Sequence, residues 1–336
     1  MRSILSVALL VLAGAAAAAQ PAALPPTTVL FPHGELARFA TRVARRDGLS
    51  RRRVLAVLSQ ARAQPKIIAA ISRPPEQVLA WWQYRRIFLT PGRIAAGVAF
   101  WQEHREALAQ VSAQDGVPPQ YIVAILGAET DYGRITGSYR VLDALATLAF
   151  DYPPRGHFFR YELEQFLLLA HREKLDPLTV KGSYAGAMGP LQFMPSAYLR
   201  YAVDEDGRGR SDLFTDWDDI FASVAHYLQA CGWQRGAPVL ADVTLDPGAD
   251  FHIDPGNLSL DETIGELNAH GVRVDDRAPR ETHVVLLLAQ QQDGPTYRVG
   301  FDNFHALTRY NHSALYAMAV TDLARAVARE FDETAR

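Results

Sequence analysis

The chain of 336 residues contains a single cysteine, Cys231, and this excludes an internal disulfide. Stability must come from a packed core, which the 49% of apolar residues can supply. The formal net charge is only −3, so the composition gives no electrostatic footprint for nucleic acid. The one strongly basic stretch, "RRDGLSRRR" at 45–53, is interpreted as the exposed side of a helical hairpin. No internal repeat is found.

A long hydrophobic run is also missing, because the apolar stretch at the start of the chain covers only Ile4 to Leu12. One early arginine, this short run and the small residues up to Ala19 predict a cleavable secretory signal peptide over 1–19. The run is too short for a stable bilayer span, although an uncleaved membrane anchor is the alternative. No cysteine lies near the cleavage site, which excludes a lipid anchor there, and a Pro-rich linker follows over 20–32.

Residues 33–115 have the periodicity of amphipathic helices. The first two helices are separated after Asp47, and Ser50 is a suitable N-cap for the second. One long helix is predicted over 90–116, and residues 116–235 are predicted to continue as helices joined by loops.

The composition changes after residue 235. Three short β-branched runs, "APVLADVTL" (237–245), "THVVLLLAQ" (282–290) and "PTYRVGF" (295–301), predict the strands of a small α+β module over 236–300. One short helix is predicted in it at "SLDETIGELNAHG". A last helix is predicted over 312–331. The predicted fold class is therefore mainly α with an α+β part.

The stretch "AILGAETDYG", residues 124–133, places an acidic residue on a face that should be buried. Ile122, Ile125 and Leu126 mark the apolar face of a helix, and Glu129 lies seven residues after Ile122. Two interpretations stay open for this residue. Glu129 is either a structural carboxylate, paired with an arginine or at a helix end, or a general acid whose pKa is raised by burial.

The Gly-rich stretch "KGSYAGAMGPLQFMPSA", at 181–197, suits a ligand that lies close to backbone. Ser183, Gln192 and Met194 add hydrogen-bonding and soft apolar groups to it. An ordinary Gly-rich connection between helices is the alternative.

A cluster of polar and aromatic residues begins the last predicted helix, where "RYNHSALYA" contains Tyr310, Asn311 and Tyr316. Aromatic rings stack on the C–H faces of sugars and amide groups bind hydroxyls, so the cluster fits carbohydrate. Tyrosines at helix starts are also common without any ligand.

The acidic stretch "DEDGRGRSDLFTDWDD", at 204–219, resembles a calcium loop with Asp204 and Asp206 at its first and third positions. Arg208 occupies the fifth position, where Asp or Asn is expected, and Thr215 occupies the twelfth, where Glu is expected. A polar turn is the alternative to a cation site.

Taken together, the chain resembles the lytic murein transglycosylase B family over most of its length after the predicted signal peptide. The stretches that carry the resemblance, in the family's order and spacing, are "WWQYRRIFLTPGRI" (81–94), "AILGAETDYG" (124–133), "DALATLAFDYPPRGHFFRYELEQFLLLA" (143–170), "KGSYAGAMGPLQFMPSAY" (181–198), "SVAHYLQACGW" (223–233) and "RYNHSALYA" (309–317).

The resemblance implies a lysozyme-like catalytic core with an N-terminal helical domain and a small β-containing domain. It also implies cleavage of the MurNAc–GlcNAc β-1,4 bond of peptidoglycan in the periplasm of a Gram-negative bacterium. With the composition changes above, the predicted parts of the chain are a signal peptide (1–19), a linker (20–32), an N-terminal helical domain (33–115), the catalytic core (116–235), a small α+β domain (236–300) and a C-terminal segment that returns to the core (301–336).

The resemblance implies that Glu129 is the catalytic acid and that Ser183 and Gln192 bind the sugar. It also implies substrate contacts by Tyr84, Tyr227, Tyr310, Asn311, Tyr316 and the residue at the position of Phe158. We add Met194 from the Gly-rich stretch. Phe158 stands at a position that can be Tyr in the family, so a hydroxyl contact is lost there. A doubtful calcium loop is assigned to Asp204, Asp206 and Asp218, since Arg208 could supply the compensating charge internally.

In the implied mechanism Glu129 first protonates the glycosidic oxygen and then accepts a proton from the C6 hydroxyl, which closes a 1,6-anhydro ring. A muramidase that uses water is the second hypothesis, and it needs another carboxylate. Asp131 is expected to face away from Glu129. A non-catalytic peptidoglycan-binding scaffold is the third hypothesis.

The expected partners are the glycan strands of peptidoglycan, with cell-wall synthesis proteins as an open option. The resemblance implies no cofactor for catalysis, and calcium binding is doubtful because of Arg208. A periplasmic monomer is expected, with no nucleic acid partner and no membrane anchor once the signal peptide is removed.

Overall fold

The computed structural model describes residues 31–72 and 79–334. The predicted signal peptide and most of the predicted linker lie outside these residues. Within the two described ranges, no helix combines the length and the apolar character that a membrane span requires.

The described chain is mostly helical, which confirms the predicted fold class of helices with a small sheet. In chain order the helices are α1 (His33–Asp47), α2 (Arg51–Leu58), α3 (Pro65–Ile71), α4 (Trp81–Phe88), α5 (Pro91–Glu103), α6 (Arg105–Asp115), α7 (Pro119–Thr130), α8 (Val141–Asp151), α9 (Gly156–Arg172), α10 (Pro195–Tyr201), α11 (Trp217–Ala230), α12 (Ile264–Ala269), α13 (Asp302–Tyr310) and α14 (Ala314–Thr334). The strands are β1 (Tyr139–Arg140), β2 (Lys181–Gly182), β3 (Leu240–Leu245), β4 (Glu262–Thr263), β5 (Val272–Val274), β6 (His283–Gln290) and β7 (Pro295–Gly300).

These elements form two compact units, each built from separate parts of the chain. The sheet unit consists of the described residues 79–132 and 221–334, and the loop unit of residues 31–72 and 133–220. The division into domains by sequence stays a prediction.

A glycine and a capping serine separate the two helices of the hairpin at the start of the loop unit. Helix α1 ends at Asp47, and Gly48 follows with a left-handed φ of 70°. The Ser50 hydroxyl then accepts a hydrogen bond from the Arg53 N–H at 3.5 Å and caps α2. The predicted break and the predicted cap are both confirmed.

The single long helix predicted over 90–116 was wrong, because the structure divides it into α5 and α6. His104 joins the two helices with φ −105° and ψ 23°, outside the helical region. Its ring lies 4.5 Å from the Phe100 ring and 5.3 Å from the Phe221 ring, measured between centroids. Tertiary packing of this ring, which helical periodicity does not encode, accompanies the break.

The sheet unit contains five antiparallel strands in the order β4-β6-β7-β3-β5. Strand β6 is buried on both faces over 284–287, which explains why "HVVLLLAQ" lacks clean alternation. The predicted strands at 237–245, 282–290 and 295–301 correspond to β3, β6 and β7. Edge strands β4 and β5 were not predicted, because two or three residues are too few to show a period of two.

A buried acid in the loop unit holds the start of α10. Glu162, on α9, is 1% exposed. Its carboxylate accepts hydrogen bonds from the Ser196 N–H at 3.0 Å and the Ser196 hydroxyl at 2.7 Å, in the first turn of α10. Burial outweighs these two bonds and raises the pKa of Glu162 from 4.5 to about 6.

We expect the substitution Glu162→Gln to remove the part of the pH dependence of the unfolding free energy that comes from the raised pKa of Glu162. The folded pKa of about 6 lies above the unfolded value of 4.5, so the wild type is stabilised below pH 4.5 and loses that advantage as pH rises through 6. The shift corresponds to about 2 kcal/mol. Urea unfolding between about pH 4 and pH 7.5 should show this loss in the wild type and not in Glu162→Gln, and identical pH profiles would contradict it.

Candidate active site

Glu129 is the penultimate residue of helix α7 and lies in the interior of the sheet unit. Residues 122–130 are all buried, and Glu129 itself is 7% exposed. The predicted placement of its carboxylate on a buried face is therefore confirmed. Helical periodicity predicted one buried face, whereas the structure buries α7 on every side over these residues.

A buried phenol donates a hydrogen bond to this carboxylate. The Tyr316 hydroxyl lies 2.6 Å from Glu129 Oε1, and α14, which carries Tyr316, packs against α7. Burial, followed by the charge of Glu129, raises the pKa of Tyr316 well above its ordinary value of 10.0. The phenol therefore keeps its proton and remains a donor.

Two further predicted tyrosines lie next to this pair. The Tyr310 ring is parallel to the Tyr316 ring, with centroids 6.5 Å apart, and the Tyr227 ring meets Tyr310 edge-on at 5.0 Å. The Tyr227 hydroxyl donates to the Arg309 carbonyl oxygen at 2.5 Å, which orients its ring. Burial first and the Glu129 carboxylate second raise the pKa of Tyr310 well above its ordinary value.

Of the remaining predicted residues of the sheet unit, Tyr84 lies near Tyr316 and Asn311 directly follows Tyr310 in the chain. Tyr84 is fully buried on α4, and its phenol is close enough to Tyr316 to raise the pKa of that residue. Asn311 is buried at the end of α13, directly after Tyr310. The sheet unit thus brings together Glu129, Tyr84, Tyr227, Tyr310 and Tyr316, with Asn311 buried next to Tyr310 in the chain.

A sharp reversal directly after α7 fixes the position of that helix. Asp131 and Tyr132 have φ of 54° and 62°, a left-handed conformation that side chains other than glycine rarely adopt. The reversal turns the Tyr132 ring back over Gly127, where an added Cβ would come within 2.7 Å of the ring. The Tyr132 hydroxyl donates to the Arg93 carbonyl oxygen at 2.8 Å, so the end of α7 is tied to α5.

The Arg93 side chain also contacts Asp131 in this reversal and the end of α4. Its Nε lies 3.6 Å from Asp131 Oδ1, and its Nη1 donates to the Ile87 carbonyl oxygen at 2.8 Å, at the end of α4. One arginine therefore connects α4, the helix that carries Tyr84, to the residue that follows α7. The Asp131 carboxylate is engaged in this ion pair.

In the loop unit, Ser183 and Gln192 each keep one hydrogen-bonding function available. Ser183 Oγ accepts from the Ala187 N–H at 3.1 Å, which leaves the hydroxyl proton to donate. Gln192 Nε2 donates to the carbonyl oxygens of Thr136 at 3.0 Å and Gly189 at 2.9 Å, and this fixes the amide orientation. Gln192 Oε1 is buried and has no hydrogen-bond partner within the described parts of the chain. The loop offers a ligand one donor and one acceptor.

Close backbone contacts require glycine both in this loop and at Gly137, which lies against it. Gly137 has φ of 103°, and a Cβ there would lie 2.1 Å from the Gly182 carbonyl oxygen. A Cβ on Gly182 would lie 2.1 Å from the Ala187 carbonyl oxygen. The Gly-rich composition thus has a structural cause as well as a bearing on ligand access.

The structure places the last two predicted substrate residues on α9 and at the start of α10. Phe158 is half-buried, meets the Phe159 ring edge-on at 5.0 Å, and has the Arg155 guanidinium 4.6 Å above its own ring. Met194 is the buried residue that precedes α10.

The acidic loop holds a cluster that differs by one residue from the predicted one. Asp204, Asp206 and Asp219 offer carboxylate oxygens within 4.8 Å of one another. The prediction named Asp218, which is exposed, whereas Asp219 is 2% exposed and accepts the Glu205 N–H at 2.8 Å. Successive residues of a helix point about 100° apart, so only one of the two adjacent acids faces the loop.

Arg208 joins this loop as a cation. Its Nε lies 2.6 Å from Asp206 Oδ2, and its Nη1 lies 3.1 Å from Asp216 Oδ2. The Arg208 side chain is 71% exposed, so water screens these ion pairs.

Three supporting residues were not predicted. Tyr132 stands in the same motif as Glu129, and that proximity was the available signal. Arg93 lies in the motif at 81–94, where nothing local connects it to residue 131. Asp219 could have been chosen over Asp218 from the helical periodicity of α11.

Comparisons with known proteins identify the family of this chain. Residues 33–325 match the family described as "Transglycosylase SLT domain". The membrane-bound lytic murein transglycosylase B of Escherichia coli (strain K12) is 40% identical over 303 residues, which cover 87% of this chain and 82% of that protein.

Solved structures give the same result for the fold, a lysozyme-like core with helices and a small sheet. The catenated lytic transglycosylase SltB1 from Pseudomonas aeruginosa has a TM-score of 0.83 and 44% identity, covering 88% of this chain and 98% of its own. The Escherichia coli lytic transglycosylase Slt35 in complex with calcium has a TM-score of 0.80 and 39% identity, covering 89% and 94%. SltB3 from Pseudomonas aeruginosa in complex with NAG-anhNAM-pentapeptide has a TM-score of 0.77 and 31% identity, covering 88% and 79%. This chain belongs to the transglycosylase SLT domain family.

Proposed function

We propose that this chain is a lytic transglycosylase that cleaves the MurNAc–GlcNAc β-1,4 bond of peptidoglycan and leaves 1,6-anhydro-MurNAc ends. The observation that carries the proposal is the buried Glu129 carboxyl with the Tyr316 hydroxyl on Oε1 at 2.6 Å. The SltB3 complex with an anhydro sugar supports the same product class.

The contact of Tyr316 assigns different tasks to the two carboxyl oxygens. Oε1 accepts the phenol, so the acidic proton of Glu129 belongs on Oε2. In the first step Oε2–H donates this proton to the glycosidic oxygen, the C1–O bond breaks, and its electron pair leaves with that oxygen. The Tyr316 hydrogen bond then stabilises the carboxylate that has formed.

In the second step the Glu129 carboxylate removes the proton from the C6 hydroxyl of the same MurNAc. The freed oxygen attacks C1 and closes the anhydro ring, so Glu129 ends the cycle protonated and no water is consumed. Attack within one sugar is favoured by proximity. A hydrolytic muramidase would need a second carboxylate, and Asp131, the nearest acid in the motif, is engaged with Arg93.

We expect Glu129→Gln to lower the release of soluble muropeptides from sacculi by at least about 100-fold, because the amide cannot act as the acid. Tyr316→Phe should cost roughly 10- to 100-fold, the value of a hydrogen bond to a charged group, while it keeps the ring. The melting temperature of each variant is the control for folding. Near wild-type turnover by Glu129→Gln would remove Glu129 from the mechanism, and reducing ends in place of anhydro ends in mass spectra would favour the muramidase.

We propose that the sugar is bound by the hydroxyl of Ser183, the amide of Gln192 and Asn311, with Tyr84, Tyr227, Tyr310, Tyr316, Met194 and Phe158 providing further contacts. The free Gln192 Oε1 is the strongest support for this assignment, since buried acceptors are normally satisfied. Ligand N–H or O–H groups would satisfy it.

Ser183→Ala and Asn311→Ala should weaken activity on sacculi without ending it. Each removes hydrogen bonds worth roughly 0.5–1.5 kcal/mol, equivalent to about 2- to 10-fold in kcat/KM. The exposed Ser259→Ala is a matched control that should leave the kinetics unchanged. The assignment fails for any residue whose substitution affects the kinetics no more than this control does.

Export by the signal peptide predicted over 1–19 would deliver the protein to the periplasm, where its substrate lies. We also propose that it acts as a monomer and without a cofactor for catalysis. The predicted domains, 33–115, 116–235 and 236–300, remain part of this proposal.

The acidic loop has a donor set that fits calcium in part. Carboxylate oxygens are the ligands of this hard cation, and those of Asp204, Asp206 and Asp219 lie close enough to share one. The Slt35 complex contains calcium. Arg208 already contacts Asp206, so we propose that its guanidinium competes with the ion and that calcium binds weakly.

We expect Arg208→Asn to create tighter calcium binding, because it removes the competing cation and adds an amide oxygen at the fifth loop position. Calcium at 100 times its Kd should then raise the free energy of unfolding by about 2.7 kcal/mol, seen as a higher melting temperature. Arg210→Asn, in the same exposed loop, is the control for charge. A clear rise for the wild type at about 1 mM calcium, absent with magnesium, would disprove the competition by Arg208.

A further inference from the structure

The hairpin of α1 and α2 has a charge opposite to that of the chain. Residues 33–53 contain seven arginines and two acids, whereas the net charge of the chain is −3. The arginines, all of them exposed, are Arg38, Arg42, Arg45, Arg46, Arg51, Arg52 and Arg53. The basic stripe is defined here as Arg38, Thr41, Arg42, Arg45 and Arg46.

The basic stripe forms one face of α1. Its residues follow the spacing of a helix face, opposite the buried residues Leu36, Phe39, Ala40 and Val43. Together they line a shallow cleft of about 380 Å³. The folded hairpin therefore concentrates four guanidinium groups on one accessible surface.

In the described part of the chain, internal contacts leave two of the four stripe arginines with neither an ion pair nor a ring contact. Arg46 lies 3.5 Å from Glu164, and Arg42 lies over the Phe39 ring at 5.0 Å. Within the described ranges, Arg38 and Arg45 have no ion pair. Like charges at this spacing repel each other, so an anionic partner would stabilise the surface.

An exposed aromatic ring lies beside the stripe. Tyr161, on α9, is 41% exposed, and the Arg46 guanidinium lies 5.9 Å from its ring centroid. Exposed tyrosine rings stack on sugars, while guanidinium groups bind carboxylates. The surface thus offers contacts for a polymer that carries both sugars and carboxylates.

We propose that the basic stripe and Tyr161 form a second binding surface that docks the enzyme on peptidoglycan, through the carboxylates of its stem peptides and its sugar rings. The inference rests on the proposed function only for the identity of the polymer. Binding to a lipid surface would require several exposed apolar side chains beside the basic stripe. Among the described residues, Tyr161 is the one exposed large apolar side chain that is shown next to the stripe, so lipid is disfavoured as the partner. Exposed charges attract a polyanion over about 10 Å at moderate salt, so docking raises the local enzyme concentration on the insoluble substrate.

The test compares two triple variants with the wild type, each with three fewer positive charges. The first is Arg38→Gln, Arg42→Gln, Arg45→Gln in the stripe. The control is Arg277→Gln, Arg280→Gln, Arg329→Gln, all exposed residues of the sheet unit. Binding is measured by co-sedimentation with purified sacculi at about 20 and 500 mM NaCl, and activity on sacculi and on a soluble, peptide-free glycan.

The stripe variant should bind sacculi roughly tenfold more weakly at low salt, and the difference should vanish at high salt. It should cleave the soluble glycan at the rate of the control, since no stripe residue belongs to the active-site cluster. Amidation of the sacculus carboxylates should abolish the advantage of the wild type, and Tyr161→Ala should weaken the binding that remains.

Equal binding of the two triple variants to sacculi would overturn the proposal. So would stronger binding of the wild type to phosphatidylglycerol vesicles than to sacculi, which would assign the stripe to the membrane. If the wild type did not cleave the soluble glycan at all, the proposed function would be contradicted instead, and the binding data would remain valid.

Discussion

The hydrogen bond between the Tyr316 hydroxyl and Glu129 Oε1 is the contact on which the active-site geometry of the sheet unit depends. A carboxyl group that is 7% exposed has lost most of its water, and protein donors must replace that water. This donor comes from 187 residues further along the chain, so α14 must pack on α7 before this hydrogen bond can form. The reversal at Asp131 and Tyr132 then holds α7 in place, because the Tyr132 ring lies against Gly127 and leaves no room for a Cβ.

Elements whose signals are local could be predicted from the sequence. The break after Asp47, the Ser50 cap and the buried face of α7 follow from a few neighbouring residues and from helical periodicity. The division of the 90–116 helix at His104 could not be predicted, because the ring of His104 packs on Phe221, which lies far away in sequence. The edge strands β4 and β5 exist through pairing with β6 and β3, which short segments do not encode.

The site follows the same division. Helical periodicity predicted that Glu129 lies on a buried face, and the family resemblance predicted the tyrosines that lie near it in the structure. Neither predicted Arg93. Arg93 acts through its backbone carbonyl and through a guanidinium that contacts two other elements, and no spacing rule covers such a role. Likewise, the choice between Asp218 and Asp219 depends on which side of α11 faces the acidic loop. Residue types can be predicted from a motif, whereas their orientation comes from the packing of elements that are distant in sequence.

Charge serves two different purposes in this molecule, and burial separates them. Glu129 and Glu162 are buried acids that accept hydrogen bonds from nearby donors, and salt has little influence on such enclosed groups. The arginines of the α1–α2 hairpin are exposed, so each contributes little alone, and their combined attraction weakens as salt rises. In the function that we propose, bond cleavage depends on the first kind of charge, and in the docking that we propose, attachment to a polyanion depends on the second. Ionic strength would then change how the enzyme is distributed on its substrate while the chemistry at Glu129 stays the same.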